Sequence, residues 1–420
     1  MSKFLFLCDF YYPRPLPNGV VLDKVTTELI KRGHEVHLIA YRQLNQEAVT
    51  RYNGVFVHYV EMRLFYILKT WGEQNIRKLS GAVSFYTAKA INKITKLFNI
   101  RRFPMSSAGS VERFYAKTEA LHREHGFDAV IALFNPEDTL FAVMKFKQKY
   151  PQVSTGAYIL DSLIFLAGKK KLPAFLRESM SWKFEQSVYE SFDRVYNMET
   201  HRVHHVYEKY APYRDKMVFL DTPLFIPREI VLTHQLYDAD KTNIVYMGTL
   251  FKSFRNPEYV YKVFRGLNEN NDSVLHFYTR GDCERMLLRY EKEMPGAVVR
   301  EGYVSNSEIE NIYANADFLI NIGVNNSTNI SSKIFDYMST GKPVIHFYYF
   351  DDDVNNAYLE KYPSAILIKM DEALLSENIA RLKKFVAEKK GVQPDISHLN
   401  DSFEKNKPEF TAAQFESLIH

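Results

Sequence analysis

Cysteine is almost absent from the 420 residues: only Cys8 and Cys283 occur, far apart in the chain. That excludes a disulfide-stapled scaffold and a cysteine zinc site. Tryptophan is equally scarce, with 2 residues. No run of about 18 apolar residues exists, so a membrane-crossing helix is not expected. The apolar start Phe4-Leu5-Phe6-Leu7-Cys8 is cut short by Asp9, too early for the apolar region of a signal peptide. Charge of one sign is missing too: 54 Lys and Arg against 50 Asp and Glu leave +4. That is too weak to argue for nucleic acid, and no nucleic-acid-binding module is recognisable. These absences read as a reduced, cytoplasmic protein. What is plentiful is apolar and aromatic: 46% hydrophobic residues, including 31 Phe and 28 Tyr. A disordered chain lacks the apolar residues to offset its ordering entropy, so that class is excluded. The length suggests two or three domains.

Short apolar runs alternate with amphipathic stretches. Phe4–Leu7 reads as a buried strand, the spacing of Val21, Val25, Leu29 and Ile30 as a helix, and Glu35–Ala40 as the next strand. Such a βαβ unit implies a parallel sheet covered by helices. Further strands are expected at Asp128–Leu133 and Ala157–Leu160. Residues 61–125 read as helical and basic, with twelve cations against five acids, a local balance of +7. A second basic cluster, Lys169-Lys170-Lys171, has Arg177 and Lys183 nearby, with Phe175 and Trp182 interleaved. These basic segments suggest contact with an anionic membrane surface, although solvated helical faces account for them equally well. Asp221–Asp240 holds two prolines and little periodicity and reads as a domain linker. A second alternating series follows, with strands expected at Asn243–Met247, Val274–Tyr278, Asp317–Asn321 and Pro343–Phe347.

Three loops are candidates for chemistry. Tyr11–Gly19 joins a strand to a helix, where Gly19 would let a phosphate or sugar approach the backbone. A plain proline-rich turn accounts for the same residues, and a single glycine does not make a dinucleotide fingerprint. Tyr246–Pro257 repeats the strand, glycine and loop pattern with Gly248, and its Lys252 and Arg255 suit a diphosphate. Asn325–Ile345 is the most informative. Ser331 or Ser332 caps a short helix, Ser332 and Lys333 sit at its N-terminus, and Asp336 follows about one turn later. A carboxylate there suits a ribose diol. An ordinary helix ended by Gly341 and stopped by Pro343 explains those two residues. It does not explain the polar run before it or a carboxylate between Phe335 and Tyr337.

The segment Ser332-Lys333-Ile334-Phe335-Asp336-Tyr337-Met338-Ser339-Thr340-Gly341-Lys342-Pro343-Val344-Ile345 resembles the donor-binding segment of GT-B glycosyltransferases, especially the retaining family 4. Val299–Ser305, Ile312–Asp317 and Leu29–Val36 resemble other parts of that family, in the same order and spacing along nearly the whole chain.

The resemblance implies an α/β fold of two Rossmann-like domains facing a central cleft. Residues 1–221 would form an acceptor-binding domain with the basic insert near 61–125. Residues 241–400 would form a nucleotide-sugar-binding domain. Residues 401–420 would form a helix crossing back to the N-terminal domain. It implies transfer of a sugar from a nucleotide-sugar donor, most simply a UDP-sugar, to a glycan or lipid-linked acceptor in surface polysaccharide or glycoconjugate assembly. Retention of configuration and no metal or other cofactor are implied as well. Carried over by position, Gly19, Gly248, Lys252, Arg255, Ser332 and Lys333 would hold the diphosphate. Arg280, Tyr303, Val304 and Asp336 would border the nucleoside, and Thr328 and Asn329 the donor sugar. Asp161 would be catalytic or orient the acceptor, although a helix N-cap explains it as well. Two departures stand out: the family's Glu-x7-Glu pair falls on Thr328 and Asp336, and its His-Asp pair on Leu160-Asp161. A nucleotide-sugar epimerase-like enzyme on this fold and a non-catalytic carbohydrate-binding or scaffolding protein are the alternatives.

Overall fold

Apolar runs that alternate with helices pair as parallel strands in the computed structural model, which describes residues 1–12, 17–44, 50–76, 78–98, 106–161, 163, 174–302, 304, 308–327, 329–392 and 399–419. The chain divides into two compact units, Met1–Pro223 with Lys405–His420, and Leu224–Glu404.

The first unit runs β1 (Lys3–Leu7), α1 (Pro17–Lys31), β2 (Glu35–Tyr41), β3 (Arg51–Tyr52) and β4 (Val55–Val60), then α2 (Leu64–Gln74), α3 (Leu79–Phe98) and α4 (Ala108–His125). It continues with β5 (Ala129–Phe134), α5 (Glu137–Lys149), β6 (Ser154–Ile159), α6 (Ala174–Ser191), β7 (Arg194–Met198) and β8 (Met217–Leu220). The strands form one sheet in the order β3-β4-β2-β1-β5-β6-β7-β8, parallel except for the β3–β4 pair. All six residues of β5 are buried, the pattern of a parallel strand covered on both faces. The order reverses between β1 and β5, which pair from Phe4–Ala129 to Leu7–Ala132.

Residues 61–125 are helical, as their periodicity indicates, and α2 packs on α3. Gly72 permits the close approach: a Cβ there would stand 2.6 Å from the backbone N of Phe85. The apolar side chains Leu64, Leu79, Val83, Tyr86 and Ile94 of this pair remain exposed. Lys169, Lys170 and Lys171 lie outside the described residues.

The second unit runs β9 (Thr242–Leu250), α7 (Glu258–Leu267), β10 (Ser273–Gly281), α8 (Glu284–Glu293), β11 (Val298–Arg300), α9 (Ile309–Asn315) and β12 (Phe318–Ile322). It is completed by α10 (Ser332–Ser339), β13 (Val344–Tyr348), α11 (Val354–Leu359), β14 (Ala365–Lys369), α12 (Leu375–Lys389) and α13 (Leu399–Ser402). Its sheet is parallel throughout, in the order β11-β10-β9-β12-β13-β14. Residues 224–240 carry no helix or strand, yet Phe225 and Tyr237 are buried with Leu319, Ile334 and Phe335 in this unit's core. Prolines and missing periodicity make the stretch resemble a linker; its packing makes it part of the second unit.

The final helix, α14 (Pro408–Glu416), belongs to the first unit. Phe415 packs against Phe6, Tyr158 and Tyr196, with ring centroids 5.7, 5.4 and 4.9 Å away. The Glu416 carboxylate accepts from Arg32 at 2.8 Å and pairs with His34 at 2.7 Å. No helix among the described residues is long and apolar enough to cross a membrane.

Candidate active site

In the second sheet the strand order reverses between β9 and β12, and ligands of open α/β sheets bind outside the carboxyl ends of strands at such a point. β9 leads into a tight turn. The amide of Arg255 donates to the Phe251 carbonyl at 2.8 Å, and the Phe251 amide to the Arg255 carbonyl at 3.2 Å. Lys252 is exposed at the tip of this turn, its amide fixed by Asp282 Oδ1 at 2.8 Å. Arg255 is folded back, and its Nε is buried without an acceptor among the described residues.

β12 leads through a polar loop to α10. Ser331 is the N-cap residue, but its hydroxyl donates to Asn321 Oδ1 at 2.9 Å and caps nothing. Ser331 thus offers the first amides of α10 no side-chain acceptor, and none is found among the described residues, which leaves the positive end of the helix dipole suited to an anion. Lys333 reaches from the first turn to Gly248 on β9. At φ 151° Gly248 adopts a backbone conformation that favours glycine, and a Cβ there would lie 1.8 Å from Lys333 Nζ. The Lys333 ammonium stands 5.5 Å from the Tyr246 ring centroid. Burial, with Arg255 nearby, pulls it down from 10.5 to about 7. Neither Lys333 nor Arg255 has an ion-pair partner among the described residues. Two cations held together at a helix N-terminus suit a diphosphate.

Around this centre Ser332 is exposed at the start of α10. Arg280 is exposed near the end of β10, in register with Thr249. Val304 packs on the core below. Asp336 lies one turn along α10, where its carboxylate accepts from Arg228 Nη2 at 2.7 Å and from the Tyr313 hydroxyl at 2.6 Å. Asn329 is exposed, and its carbonyl accepts from Asn355 Nδ2 at 2.9 Å. Tyr303 and Thr328 lie outside the described residues.

Sequence reasoning overlooked what supports this loop. Asn355 Oδ1 also accepts from the Ser331 amide at 2.8 Å, and Asp353 Oδ1 accepts from Asn355 Nδ2 at 2.7 Å. Asp353, last of the run Asp351-Asp352-Asp353, is buried and caps α11. Arg228 was missed because the stretch around it resembles a linker.

The first unit gathers carboxylates at the carboxyl ends of its strands. Asp9 follows β1, Glu137 opens α5 after β5, and Asp161 follows β6. Burial raises Asp9 from 3.8 to about 6, with Asp161 adding to the rise. Burial raises Glu137 and partial desolvation raises Asp161. Asp138 beside them is buried and paired with Arg63, and it also accepts from the Tyr41 hydroxyl at 3.0 Å and the Ser107 amide at 2.8 Å. Asp9 and Glu137 carry no motif in the sequence; only the strand-end positions of both flag them. Gly19 is buried within the first turn of α1, because that helix begins at Pro17 and not after the glycine. Pro13–Leu16 lie outside the described residues. Within the first unit the structure brings Asp161 to Asp9, and within the second it brings Gly248, Arg255 and Lys333 together.

No family model matches the sequence, and no curated protein matches it. Several solved structures are similar over the whole length. A glycosyltransferase from Rickettsia africae has a TM-score of 0.60 at 10% identity, covering 100% of this chain and 97% of that one. HepE from Anabaena, solved with UDP-glucose, has a TM-score of 0.59 at 10% identity, covering 99% and 100%. WaaG, a glycosyltransferase involved in lipopolysaccharide biosynthesis, has a TM-score of 0.56 at 12% identity, covering 98% and 99%. With two α/β units built on parallel sheets, and likeness along both, the chain has the GT-B glycosyltransferase fold.

Proposed function

We propose that the chain is a glycosyltransferase that moves a sugar from a nucleotide-sugar donor, a UDP-sugar in the simplest case, to a glycan or lipid-linked acceptor. The observation that carries this reading is the pairing of Lys333 and Arg255, without a carboxylate partner among the described residues, at the N-terminus of α10. As the sugar–phosphate bond breaks, charge builds on the leaving diphosphate. Lys333, Arg255, the α10 amides and Lys252 at the loop tip would stabilise that charge without a metal. Ser332 lies at the same helix end. Arg280, Tyr303, Val304 and Asp336 are assigned to the nucleoside, and Thr328 and Asn329 to the donor sugar. Asp161, with Asp9 beside it, is assigned to the acceptor side. The UDP-glucose held by HepE supports a UDP-sugar donor, and the role of WaaG in lipopolysaccharide biosynthesis supports a surface-glycan pathway. Retention of configuration belongs to the same reading.

The exposed apolar residues of α2 and α3 stand among Lys69, Lys78, Lys89 and Lys93. Apolar groups ringed by cations favour an anionic lipid surface. This supports a peripheral position at a membrane carrying the acceptor.

The test is nucleotide release from UDP-, GDP- and dTDP-sugars, with and without candidate acceptors. Acceptor-dependent release that fails in Lys333→Met supports the proposal. Absence of any nucleotide binding sinks it, and release independent of every acceptor favours an epimerase-like or hydrolytic enzyme instead.

A further inference from the structure

At the amino end of the first sheet, away from Asp9 and Asp161, three histidines and a glutamate converge. Glu35 and His37 lie on β2, His58 on β4, and His125 ends α4. His37 is buried; its Nε2 lies 3.1 Å from Glu35 Oε1, and its Nδ1 lies 3.0 Å from His58 Nε2. The His125 ring centroid is 4.4 Å from that of His37. One donor atom each from Glu35, His37 and His125 falls within 4.8 Å of the others.

We infer that Glu35, His37 and His125 form a binding site for one divalent transition-metal ion, with zinc the best fit to the donor set. Two imidazoles and one carboxylate are borderline donors that suit zinc and its neighbours, and disfavour magnesium or calcium, which take oxygen ligands. Metal–ligand bonds of about 2.0–2.2 Å require the three donors to draw in slightly. The exposed flank of His125, whose side chain is 27% accessible, gives the ion a path from solvent.

His58 supplies the outer support that metal-bound histidines need. Without metal, His37 Nε2–H donates to Glu35 and Nδ1 accepts from His58. With metal, both rings change tautomer through solvent: the His37 Nε2 lone pair goes to the ion, its proton now sits on Nδ1 and is donated to His58 Nε2, and His58 holds its own proton on Nδ1. Packing explains part of the cluster, since His37 stacks on Phe56 at 4.7 Å. Packing does not require a carboxylate and a third imidazole at the same point. Lys3 is the competing cation. Its Nζ lies 3.5 Å from Glu35 Oε1 and donates to the His125 carbonyl at 3.1 Å, a bond it retains when a metal takes the carboxylate.

The full-length chain, freed of any affinity tag and of metal by chelation, is titrated with Zn2+ by calorimetry and with Co2+ by visible absorption. One ion per chain is expected, with a Co2+ ligand-field band and a rise in Tm on adding Zn2+. His125→Ala and Glu35→Gln each weaken binding by about tenfold or more, while circular dichroism shows the metal-free fold intact. Testing both variants keeps the result readable if one fails to fold. No stoichiometric binding by the intact chain, or equal affinity in the intact chain and in the folded variants, overturns the inference.

Discussion

Lys333 gives up its proton unusually easily because burial and the Arg255 guanidinium both oppose its charge. A bound diphosphate reverses that balance and restores the ammonium. Nucleotide binding at pH 8 should therefore take up a proton, seen in calorimetry as a heat that depends on the buffer, and UDP affinity should fall as pH climbs above about 7. Lys333→Met should abolish the uptake and weaken binding roughly ten- to a hundredfold, from the about 1.5–3 kcal/mol of a charged hydrogen bond. Asp9 presents the opposite case. Its folded value is raised from 3.8 to about 6, so the folded state binds the extra proton between those limits. Its contribution to stability is full below pH 3.8 and lost as pH rises through 6. Asp9→Asn should therefore raise the denaturation midpoint at pH 8, and this advantage should vanish near pH 4; equal midpoints at both would refute the argument.

At the scale of elements, the α2–α3 pair is the one that departs from an ordinary amphipathic pattern. Gly72 draws the two helices together, while Leu79 remains 84% exposed and Tyr86 64% exposed. Reversing Lys69, Lys89 and Lys93 to Glu should release the protein from anionic liposomes in a flotation assay without changing its Tm. Failure of the unaltered protein to bind such liposomes removes the membrane from the proposal. Strands and helices were legible in the sequence because period and apolar content are local properties. β1, β2, β5 and β12 lie within one residue of where their apolar runs place them. The α10 segment was legible too, because its polar run, lysine and carboxylate lie within a dozen residues. Asp9, Glu137, Arg228 and Asn355 were not. Each acquires its role from a neighbour distant in the chain, and no local pattern encodes Arg228 meeting Asp336 or Asn355 holding the Ser331 amide.

At the scale of the whole molecule, the two units depend on chain order differently. The second is built from one continuous stretch, 224–404, whereas the first needs residues 405–420 as well. Phe415 fills the space between Phe6, Tyr158 and Tyr196, so Phe415→Ala should cost about 3–5 kcal/mol. Deleting 405–420 should lower the unfolding midpoint of the first unit and leave that of the second unchanged. Hydrogen exchange resolved to peptides distinguishes the two, and an unmoved first unit would show the helix to be dispensable.

That shared construction has a consequence for how the protein is made. A ribosome produces the first eight strands early but withholds the helix that covers Phe6 and Tyr158 until the second unit is complete. At about 5–20 residues per second, the roughly 180 intervening residues impose a wait of about 10–40 s. The usual vectorial order, in which the N-terminal domain finishes first, is inverted. The second unit closes while the first is still missing a piece, and a nascent chain halted before residue 405 displays an aromatic face that folding chaperones and proteases recognise.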